Sequence, residues 1–422
     1  MVSKIREIKA REILDSRGNP TVGVDLICDH GIFTASVPSG ASKGKREAVE
    51  LRDGGERYFG KGVLKAIRNI NEIIGPKLRG KDVKNQKDLD NLLMLLDGTE
   101  DKSNLGANAV YPVSLAICRA GAKAKSLSLF QYISQLIGDF NKALLLPFPA
   151  FNIINGGMHA GNDLAFQEFM ILPEAESFSE NLRWASEICQ KLKEILKEKY
   201  GKLATNVGDE GGFAPPLIIS KEALELISKA IEDLGYQGRV KFIIDCAASH
   251  FFENGKYKLD GRKIGREELL NYYLELTEKF PILGFEDPFS EEDWEGFQKI
   301  TKEIGKKNYI IGDDLLVTNP KRIIEAAKKD ACNCLLVKIN QIGTLTETIE
   351  AIRMARGFGW KMMVSHRSGE TCDDFISDFA VGISANFIKA GSPARGERVT
   401  KYNRLLEIEE ELRSATEFSK YR

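Results

Sequence analysis

The stretch Leu335-Leu336-Val337-Lys338-Ile339-Asn340 decides the fold class, because it is typical of a buried strand that carries one lysine. Apolar residues on both sides of Lys338 indicate a parallel strand covered on both faces. A buried ammonium group is costly unless it is paired, or unless its pKa is lowered until the amine is neutral. Lys338 is therefore either a structural lysine whose head reaches water or a functional group.

Neighbouring apolar runs end in the same manner, each at a charged or polar group. Those groups are Asp245, Glu286, Asp313, His366-Arg367-Ser368 and Lys389. They recur at intervals of roughly 25 to 40 residues, about the length of one strand–helix unit. Helical patterns such as Ile323–Lys329 and Leu345–Arg356 lie between them. Repeated units of this kind close into a barrel whose chemistry lies at the carboxyl ends of the strands.

The 422 residues, 43% of them hydrophobic, suffice for a large core and suggest two domains. A formal net charge of −1 gives no reason to expect general nucleic-acid or membrane binding. No apolar run reaches membrane-spanning length, and the first ten residues lack the apolar core of a signal peptide. Seven cysteines, most of them in apolar runs, fit a reducing cytoplasm. Cys332 and Cys334 could bind a metal, but alternate positions in a core are favoured because no other ligand pair is near.

The amino-terminal part has the pattern of an α+β capping domain. Three strands, expected over Ile5–Leu14, Thr21–Asp29 and Ile32–Val37, are joined by turn-rich connections and predict an antiparallel meander. Helices are expected over Val63–Leu78, Gln86–Leu96 and Ala107–Ser126. The predicted domains are residues 1–138, the cap, and residues 139–422, the barrel.

The barrel is predicted to open irregularly, with two strands before its first helix. Phe151–Ile154 leads into a glycine-rich loop with His159, and Leu164–Ile171 carries Gln167 and Glu168. A helix over Phe178–Tyr200 follows. Glu210 then lies among glycines, which let the backbone approach a ligand closely.

The polar groups at the strand ends predict a metal-assisted proton abstraction. Asp245, Glu286 and Asp313 offer the oxygen ligands that Mg²⁺ prefers, and an ion there would depress the pKa values of Lys338 and Lys389. A neutral lysine beside a metal-bound carboxylate can remove the α-proton, and the metal stabilises the enediolate.

The remaining groups predict a small phosphorylated carboxylic acid as the substrate. His159, Arg367 and Ser368 could bind its phosphate. Glu168 and Glu210, on a different side, suit protonation of a leaving hydroxyl group.

The segment Pro38-Ser39-Gly40-Ala41-Ser42-Lys43-Gly44-Lys45 is either an ordinary connector or a lid. The glycine spacing is too short for a P-loop. As a lid, it would bring backbone and Ser42 oxygens onto a bound ion.

The sequence resembles the enolase family along essentially its whole length. The resemblance rests on ten motifs: Asp15-Ser16-Arg17-Gly18-Asn19-Pro20-Thr21, Pro38-Ser39-Gly40-Ala41-Ser42, Leu96-Asp97-Gly98-Thr99, Asn155-Gly156-Gly157, Gln167-Glu168-Phe169-Met170, Gly208-Asp209-Glu210-Gly211-Gly212, Glu286-Asp287-Pro288-Phe289, Gly312-Asp313-Asp314-Leu315, Val337-Lys338-Ile339-Asn340-Gln341-Ile342-Gly343-Thr344 and Ser365-His366-Arg367-Ser368-Gly369-Glu370-Thr371.

The resemblance implies an α/β protein with an α+β cap on a ββαα(βα)₆ barrel. It implies reversible dehydration of 2-phosphoglycerate to phosphoenolpyruvate in glycolysis and gluconeogenesis, and two Mg²⁺ ions per site, the second bound with substrate. A cytoplasmic homodimer or higher homo-oligomer is also implied.

The resemblance also implies residue roles. Lys338 takes the C2 proton, and Glu210, assisted by Glu168, protonates the leaving C3 hydroxyl. The other implied positions are Asp245, Glu286 and Asp313 for the first Mg²⁺, Ser42 for the second, Arg367 and Ser368 for phosphate, Lys389 for the carboxylate, and His159, Gln167 and His366 lining the pocket.

One departure from the family pattern lies in the lid, which reads Ala41-Ser42-Lys43-Gly44 where the family usually has Ala-Ser-Thr-Gly. A long cation there could strengthen anion binding or alter closure. Two alternatives remain open. One is another enzyme of the same superfamily, an acid-sugar dehydratase or racemase, which the Glu168/Glu210 pair and the lid disfavour. The other is an added binding role, as an RNA-degradation scaffold or surface receptor.

Overall fold

The computed structural model describes residues 3–41, 44–139 and 144–412, and the backbone of Glu417–Phe418. Its amino-terminal sheet is the predicted antiparallel meander, with strands β1 (Ile5–Leu14), β2 (Pro20–Cys28) and β3 (Gly31–Ser36). The β1–β2 turn is fixed by Asp15, whose carboxylate accepts the backbone N–H groups of Arg17 and Asn19 at 2.9 Å each. Gly18 has a φ of 74°, which a glycine adopts without steric cost.

The helices of the cap depart from the sequence pattern in two places. In the described residues they are α1 (Leu64–Arg68), α2 (Gly75–Leu78), α3 (Gln86–Asp97), α4 (Ala107–Ala124) and α5 (Leu129–Ile137). The single helix predicted over Val63–Leu78 is broken, because a π-helical stretch, Asn69–Ile74, separates α1 from α2. Pro76 follows directly and lacks the N–H that a continuous α-helix needs there. Helix α5 was not predicted.

The second part of the chain is a closed eight-stranded barrel. Its strands, in barrel order, are β5 (Phe148–Asn155), β6 (Glu168–Pro173), β7 (Val240–Asp245), β11 (Ile282–Glu286), β12 (Tyr309–Gly312), β13 (Cys334–Val337), β14 (Lys361–Ser365) and β15 (Phe387–Gly391). Strand β6 is antiparallel to both its neighbours, and the other pairs are parallel. The predicted irregular opening is therefore confirmed.

Helices cover the outside of the barrel in the order ββαα(βα)₆. They are α6 (Phe178–Tyr200), α7 (Ser220–Asp233), α8 (Arg266–Lys279), α9 (Trp294–Ile304), α10 (Pro320–Lys328), α11 (Leu345–Gly357), α12 (Phe375–Gly382) and α13 (Gly396–Glu411). Two small sheets complete the described fold: β8 (Phe252–Glu253), β9 (Lys256–Leu259) and β10 (Arg262–Ile264) in one, and β4 (Leu145–Leu146) with β16 (Glu417–Phe418) in the other.

The interior of the barrel explains where the site lies. An apolar cluster, separate from the main core, fills the lower layers: Phe148, Ala150, Met170, Leu172, Ile243, Leu283, Ile311, Cys334, Leu336, Met363 and Phe387. Side chains alternate along a strand, so the next inward position is two residues further on. In six strands that position is buried and polar: Asn152, Asp245, Asp313, Lys338, Ser365 and Lys389. The site is formed by this polar layer of side chains, at the carboxyl ends of the parallel strands.

The cap is bound to the barrel by direct contacts near this layer. The backbones of Ser39 and Gly369 exchange hydrogen bonds at 2.7 and 2.8 Å, and the N–H of Ala41 donates to Ser368 Oγ at 2.5 Å. Four residues after Gly369, Asp373 of the barrel pairs with Arg119 of α4 at 2.8 Å.

None of the helices in the described ranges has the length and hydropathy needed to cross a membrane. The seven cysteines are free, and all but Cys372 are buried. Cys332 and Cys334 lie in the core, and no cluster of possible metal ligands in the described chain includes either of them.

Candidate active site

The predicted site residues meet at the carboxyl end of the barrel. Glu168 begins β6, Asp245 ends β7 and Glu286 ends β11. Asp313 and Lys338 directly follow β12 and β13, so Lys338 terminates its strand and is not set inside it. All of these side chains are buried. Ser42 and Lys43, predicted for the lid, lie outside the described residues.

Lys389 is the centre of the carboxylate cluster. Its ammonium group lies 3.0 Å from Glu168, 2.9 Å from Asp245 and 2.8 Å from Glu286. Burial lowers the pKa of Lys389, but the three carboxylates outweigh burial and hold the pKa well above its ordinary value. The charged form of Lys389 is therefore favoured.

Lys338 has a single close acidic partner. Its Nζ lies 2.5 Å from Asp313 Oδ2. Burial lowers the pKa of Lys338, and the Asp313 carboxylate reverses the effect, so the pKa is raised. A cation on Asp313 would weaken that hold.

Glu168 and Glu210 form a buried pair with different environments. Burial and the Glu210 carboxylate raise the pKa of Glu168 well above its usual range. Burial also acts to raise the pKa of Glu210, but His159 and His366 outweigh it, and the pKa lies well below its usual range. Their ring nitrogens lie 3.3 and 3.5 Å from Glu210 Oε1. Of the two carboxyls, Glu168 therefore has the higher pKa.

His366 is fixed in one tautomer by Arg398. The guanidinium lies 2.6 Å from His366 Nδ1 and can only donate, so Nδ1 accepts and the proton is on Nε2. Burial keeps the pKa of His366 well below its ordinary value. The neutral ring therefore presents an Nε2–H toward Glu210.

Buried polar atoms without a hydrogen-bond partner concentrate at this end of the barrel. They include both ring nitrogens of His159, Gln167 Oε1, Glu168 Oε2 and His366 Nε2. Such atoms cost free energy unless a ligand satisfies them. These five atoms are therefore candidate contacts for a polar ligand.

Arg367 and Ser368, the predicted phosphate ligands, lie in the loop after β14. The Arg367 guanidinium forms a fork with Glu47 of the cap, with both N–O distances 3.0 Å. Glu47 was not predicted from the sequence, because its partner lies 320 residues away along the chain.

Two further acids were missed although they stand beside predicted ones. Asp287 accepts the backbone N–H groups of Asp313 and Asp314 at 3.0 and 2.7 Å. One ligand atom each from Asp287, Asp313 and Asp314 lies within 4.8 Å of the others. Their signal was present in the Glu286-Asp287 and Asp313-Asp314 motifs.

The donor chemistry fits a hard divalent cation. Among the described residues, the two tight groups of possible metal ligands are His159, Glu168 and Glu210, and Asp287, Asp313 and Asp314. The predicted set of Asp245, Glu286 and Asp313 is not one of them. Within that set, Lys389 pairs with Asp245 and Glu286, whereas Lys338 pairs with Asp313. Most of the possible ligand atoms in these groups are nonetheless carboxylate oxygens. Burial and the Asp245 carboxylate hold the pKa of Glu286 well above its ordinary value. The acidic groups could therefore bind a metal.

Two family models match the chain over nearly its whole length. One, described as the enolase N-terminal domain, matches residues 5–133, and the other, the enolase C-terminal TIM barrel domain, matches residues 143–421. The chain belongs to the enolase family. It is similar to Enolase B of Dictyostelium discoideum, with 56% identity over 97% of this chain and 95% of that protein. It is also similar to the enolase of Solanum lycopersicum, with 53% identity over 98% and 96% of the two chains.

Membership of the enolase family confirms the predicted fold class, an α+β cap on a ββαα(βα)₆ barrel. The expected reaction class, a lyase that dehydrates 2-phosphoglycerate to phosphoenolpyruvate, is confirmed with it. Enolases are magnesium-dependent, and the buried acids described above are suitable oxygen donors.

Proposed function

We propose that Lys338 and the Glu168/Glu210 pair carry the two proton transfers of the enolase reaction in this protein. The observation that supports this most directly is the position of Lys389. Its ammonium group touches Glu168 and also Asp245 and Glu286. One member of the acid pair and two of the three proposed metal ligands therefore meet at one cation.

Substrate binding is assigned to the fixed cations and the unsatisfied polar atoms. Lys389 binds the carboxylate of 2-phosphoglycerate, and Arg367 with Ser368 binds the phosphate. His159, Gln167 and His366 offer the buried polar atoms that lack partners. Each of these atoms gains a hydrogen bond only when substrate is bound, which favours binding.

The base is assigned to Lys338 and the acid to Glu210 acting with Glu168. Lys338 removes the C2 proton once the Asp313 carboxylate no longer holds its ammonium form. The C3 hydroxyl leaves with a proton from the acid pair. The pKa values of these two neighbouring carboxyls are shifted in opposite directions, so the pair titrates and acts as one functional unit.

Mg²⁺ is assigned to Asp245, Glu286 and Asp313, with a second ion and Ser42 joining when substrate binds. When bound, the metal supplies the positive charge that stabilises the enediolate and competes with the lysines for these carboxylates. Asp287 and Asp314 each place a carboxyl oxygen within 4.8 Å of one on Asp313 and add to the oxygen donors there.

The proposal extends to the whole molecule. Two domains, residues 1–138 and 139–422, are supported by the family models that end at 133 and begin at 143. A cytoplasmic homodimer or higher homo-oligomer is proposed from the family alone, and the buried free cysteines fit a reducing compartment.

The test is the direct assay. Purified protein with 2-phosphoglycerate and Mg²⁺ is expected to produce phosphoenolpyruvate, followed by its ultraviolet absorbance. Lys338→Ala is expected to lose this activity while keeping its circular dichroism spectrum. Product formation by a folded Lys338→Ala protein at the wild-type rate would remove Lys338 from the mechanism.

A further inference from the structure

The geometry points to Glu47 as a positioning residue of the cap that orients Arg367 for the substrate phosphate and links it to Lys338. The inference rests on the proposed function, in which Arg367 binds phosphate. Glu47 accepts from Nη1 and Nη2 of Arg367 at 3.0 Å each. The Arg367 side chain is 3% exposed and that of Glu47 is 8% exposed, so solvent screens this pair weakly.

The fork fixes the plane of the guanidinium. A guanidinium carries its five N–H donors in one rigid plane, so two bonds to one carboxylate set the direction of the others. Asn340 adds a contact to Nη1 at 3.2 Å. The bonds to Glu47 and the contact with Asn340 therefore hold the guanidinium plane in a set orientation before any substrate arrives, which lowers the entropy cost of binding.

A second chain of hydrogen bonds runs from Glu47 to the proposed base. Gln341 Nε2 donates to Glu47 Oε1 at 3.2 Å and to Asp313 Oδ1 at 2.9 Å. The other oxygen of Asp313 holds Lys338. Glu47 therefore contacts the phosphate ligand directly and reaches the base through two side chains.

A third contact links Glu47 to the lid. The backbone N–H of Gly44, which follows residues 42 and 43, donates to Glu47 Oε1 at 3.2 Å. The next residue, Ala48, donates its N–H to the carbonyl of Gln341 at 2.8 Å. The segment from Gly44 to Ala48 is thus attached to the barrel loop that contains Lys338 and Gln341. Glu47 is the residue of this segment whose side chain contacts that loop.

The test uses Glu47→Gln, which keeps the size of the side chain and removes the charge that holds the fork. We expect the Kd of 2-phosphoglycerate in the presence of Mg²⁺, measured by calorimetry, to rise about tenfold. The Kd of inorganic phosphate is expected to rise in parallel, since Arg367 binds both. The unfolding temperature is expected to stay within a few degrees of wild type. Glu47→Asp, whose shorter side chain cannot keep both contacts, is the second variant if Glu47→Gln does not fold.

The matched control is Arg46→Gln. Arg46 belongs to the same segment and contacts Glu292 of the barrel at 3.2 Å, but both side chains are about half exposed. This variant is expected to bind both ligands like wild type. An unchanged Kd in folded Glu47→Gln would overturn the inference, and so would tighter binding, which would mean that Glu47 competes with phosphate. If the wild-type protein makes no phosphoenolpyruvate, the proposed function fails, while the phosphate comparison still tests Glu47.

Discussion

Two buried lysines at the same end of the barrel differ in what surrounds them. Lys389 contacts three carboxylates, and Lys338 contacts one. The pKa is raised in both. Asp313 is the strongest of the charges that favour the ammonium form of Lys338, so a change at Asp313 shifts Lys338 toward the neutral amine. The same change leaves the three carboxylates around Lys389 in place, which distinguishes the candidate base from the candidate carboxylate ligand.

The first prediction separates the two proton transfers. Glu210→Gln keeps the shape of the side chain and removes its titratable proton. We expect dehydration to fall by about a hundredfold or more, while Lys338 still exchanges the C2 hydrogen of 2-phosphoglycerate with deuterium. Lys338→Ala is expected to lose both reactions. Proton NMR in D₂O measures exchange, and absorbance measures phosphoenolpyruvate.

Circular dichroism is the control for folding in both variants. A purely structural role for Glu210 would reduce exchange and dehydration together through misfolding. Exchange at C2 by a folded Lys338→Ala protein would show that another group is the base.

At the scale of elements, the ends of β7, β11 and β12 bring Asp245, Glu286 and Asp313 to one layer. Three carboxylates from three strands repel each other unless cations balance them. We predict that Asp313→Asn weakens Mg²⁺ binding by about tenfold, measured by calorimetry without substrate. Excess EDTA is expected to abolish activity, and full turnover in EDTA would remove the metal from the mechanism.

Helix α13 fixes the loop after β14 through one fully buried residue. Arg398 is 0% exposed and donates to His366 Nδ1, to the carbonyls of Arg367 and Ser368, and to the carbonyl of Asp209. A lysine cannot reach this many acceptors from one nitrogen, and each buried acceptor left unsatisfied costs about 1–3 kcal/mol.

The third prediction is therefore that Arg398→Lys lowers the free energy of unfolding by about 3 kcal/mol. Urea denaturation followed by fluorescence measures this change. The control is Arg183→Lys, because Arg183 forms exposed pairs with Glu180 and Glu187 on α6 and is expected to have little effect. Equal stability of Arg398→Lys and wild type would show that water replaces the lost donors.

At the scale of the whole molecule, a partly buried ion pair joins the cap to the barrel. Arg119 contacts both oxygens of Asp373, and the N–H of Ser36 donates to Asp373 at 2.9 Å. Burial raises the pKa of Asp373, but Arg119 outweighs burial and lowers it. A carboxyl whose folded pKa lies below its unfolded value stabilises the fold above the unfolded pKa of about 3.9. That contribution is lost as the pH falls through the folded pKa.

The fourth prediction follows from that sign. Asp373→Asn is expected to destabilise the protein by about 2 kcal/mol at pH 7, because Arg119 loses its two-pronged charged partner and keeps only Asp374, at 2.9 Å. The difference in unfolding temperature between the two proteins is expected to shrink as the pH falls from 5 to 3. A difference that stays constant over this range would mean that the Asp373 charge does not stabilise the domain contact.

The sequence by itself determined the fold class and the composition of the site. Apolar runs that end in acids, lysines and His366-Arg367-Ser368 predicted a barrel with chemistry at its carboxyl end. Because side chains alternate between the two faces of a strand, the sequence shows which polar residue comes after the apolar residues inside the barrel. Two strands before the first helix predicted the irregular opening. These are local patterns, and neighbouring residues along the chain are sufficient to produce them.

The tertiary structure alone decided which partner each charged group has. The fork between Glu47 and Arg367, the tautomer of His366 set by Arg398, and the pairing of Asp313 with Lys338 join segments far apart in sequence. The break in the helix over residues 64–78 and the helix α5 were missed for a different reason, since Pro76 and the capping box of Ser128 and Gln131 are local signals that hydrophobic periodicity does not register. Protonation depends on burial and on charges within a few ångströms, which only the folded chain brings together.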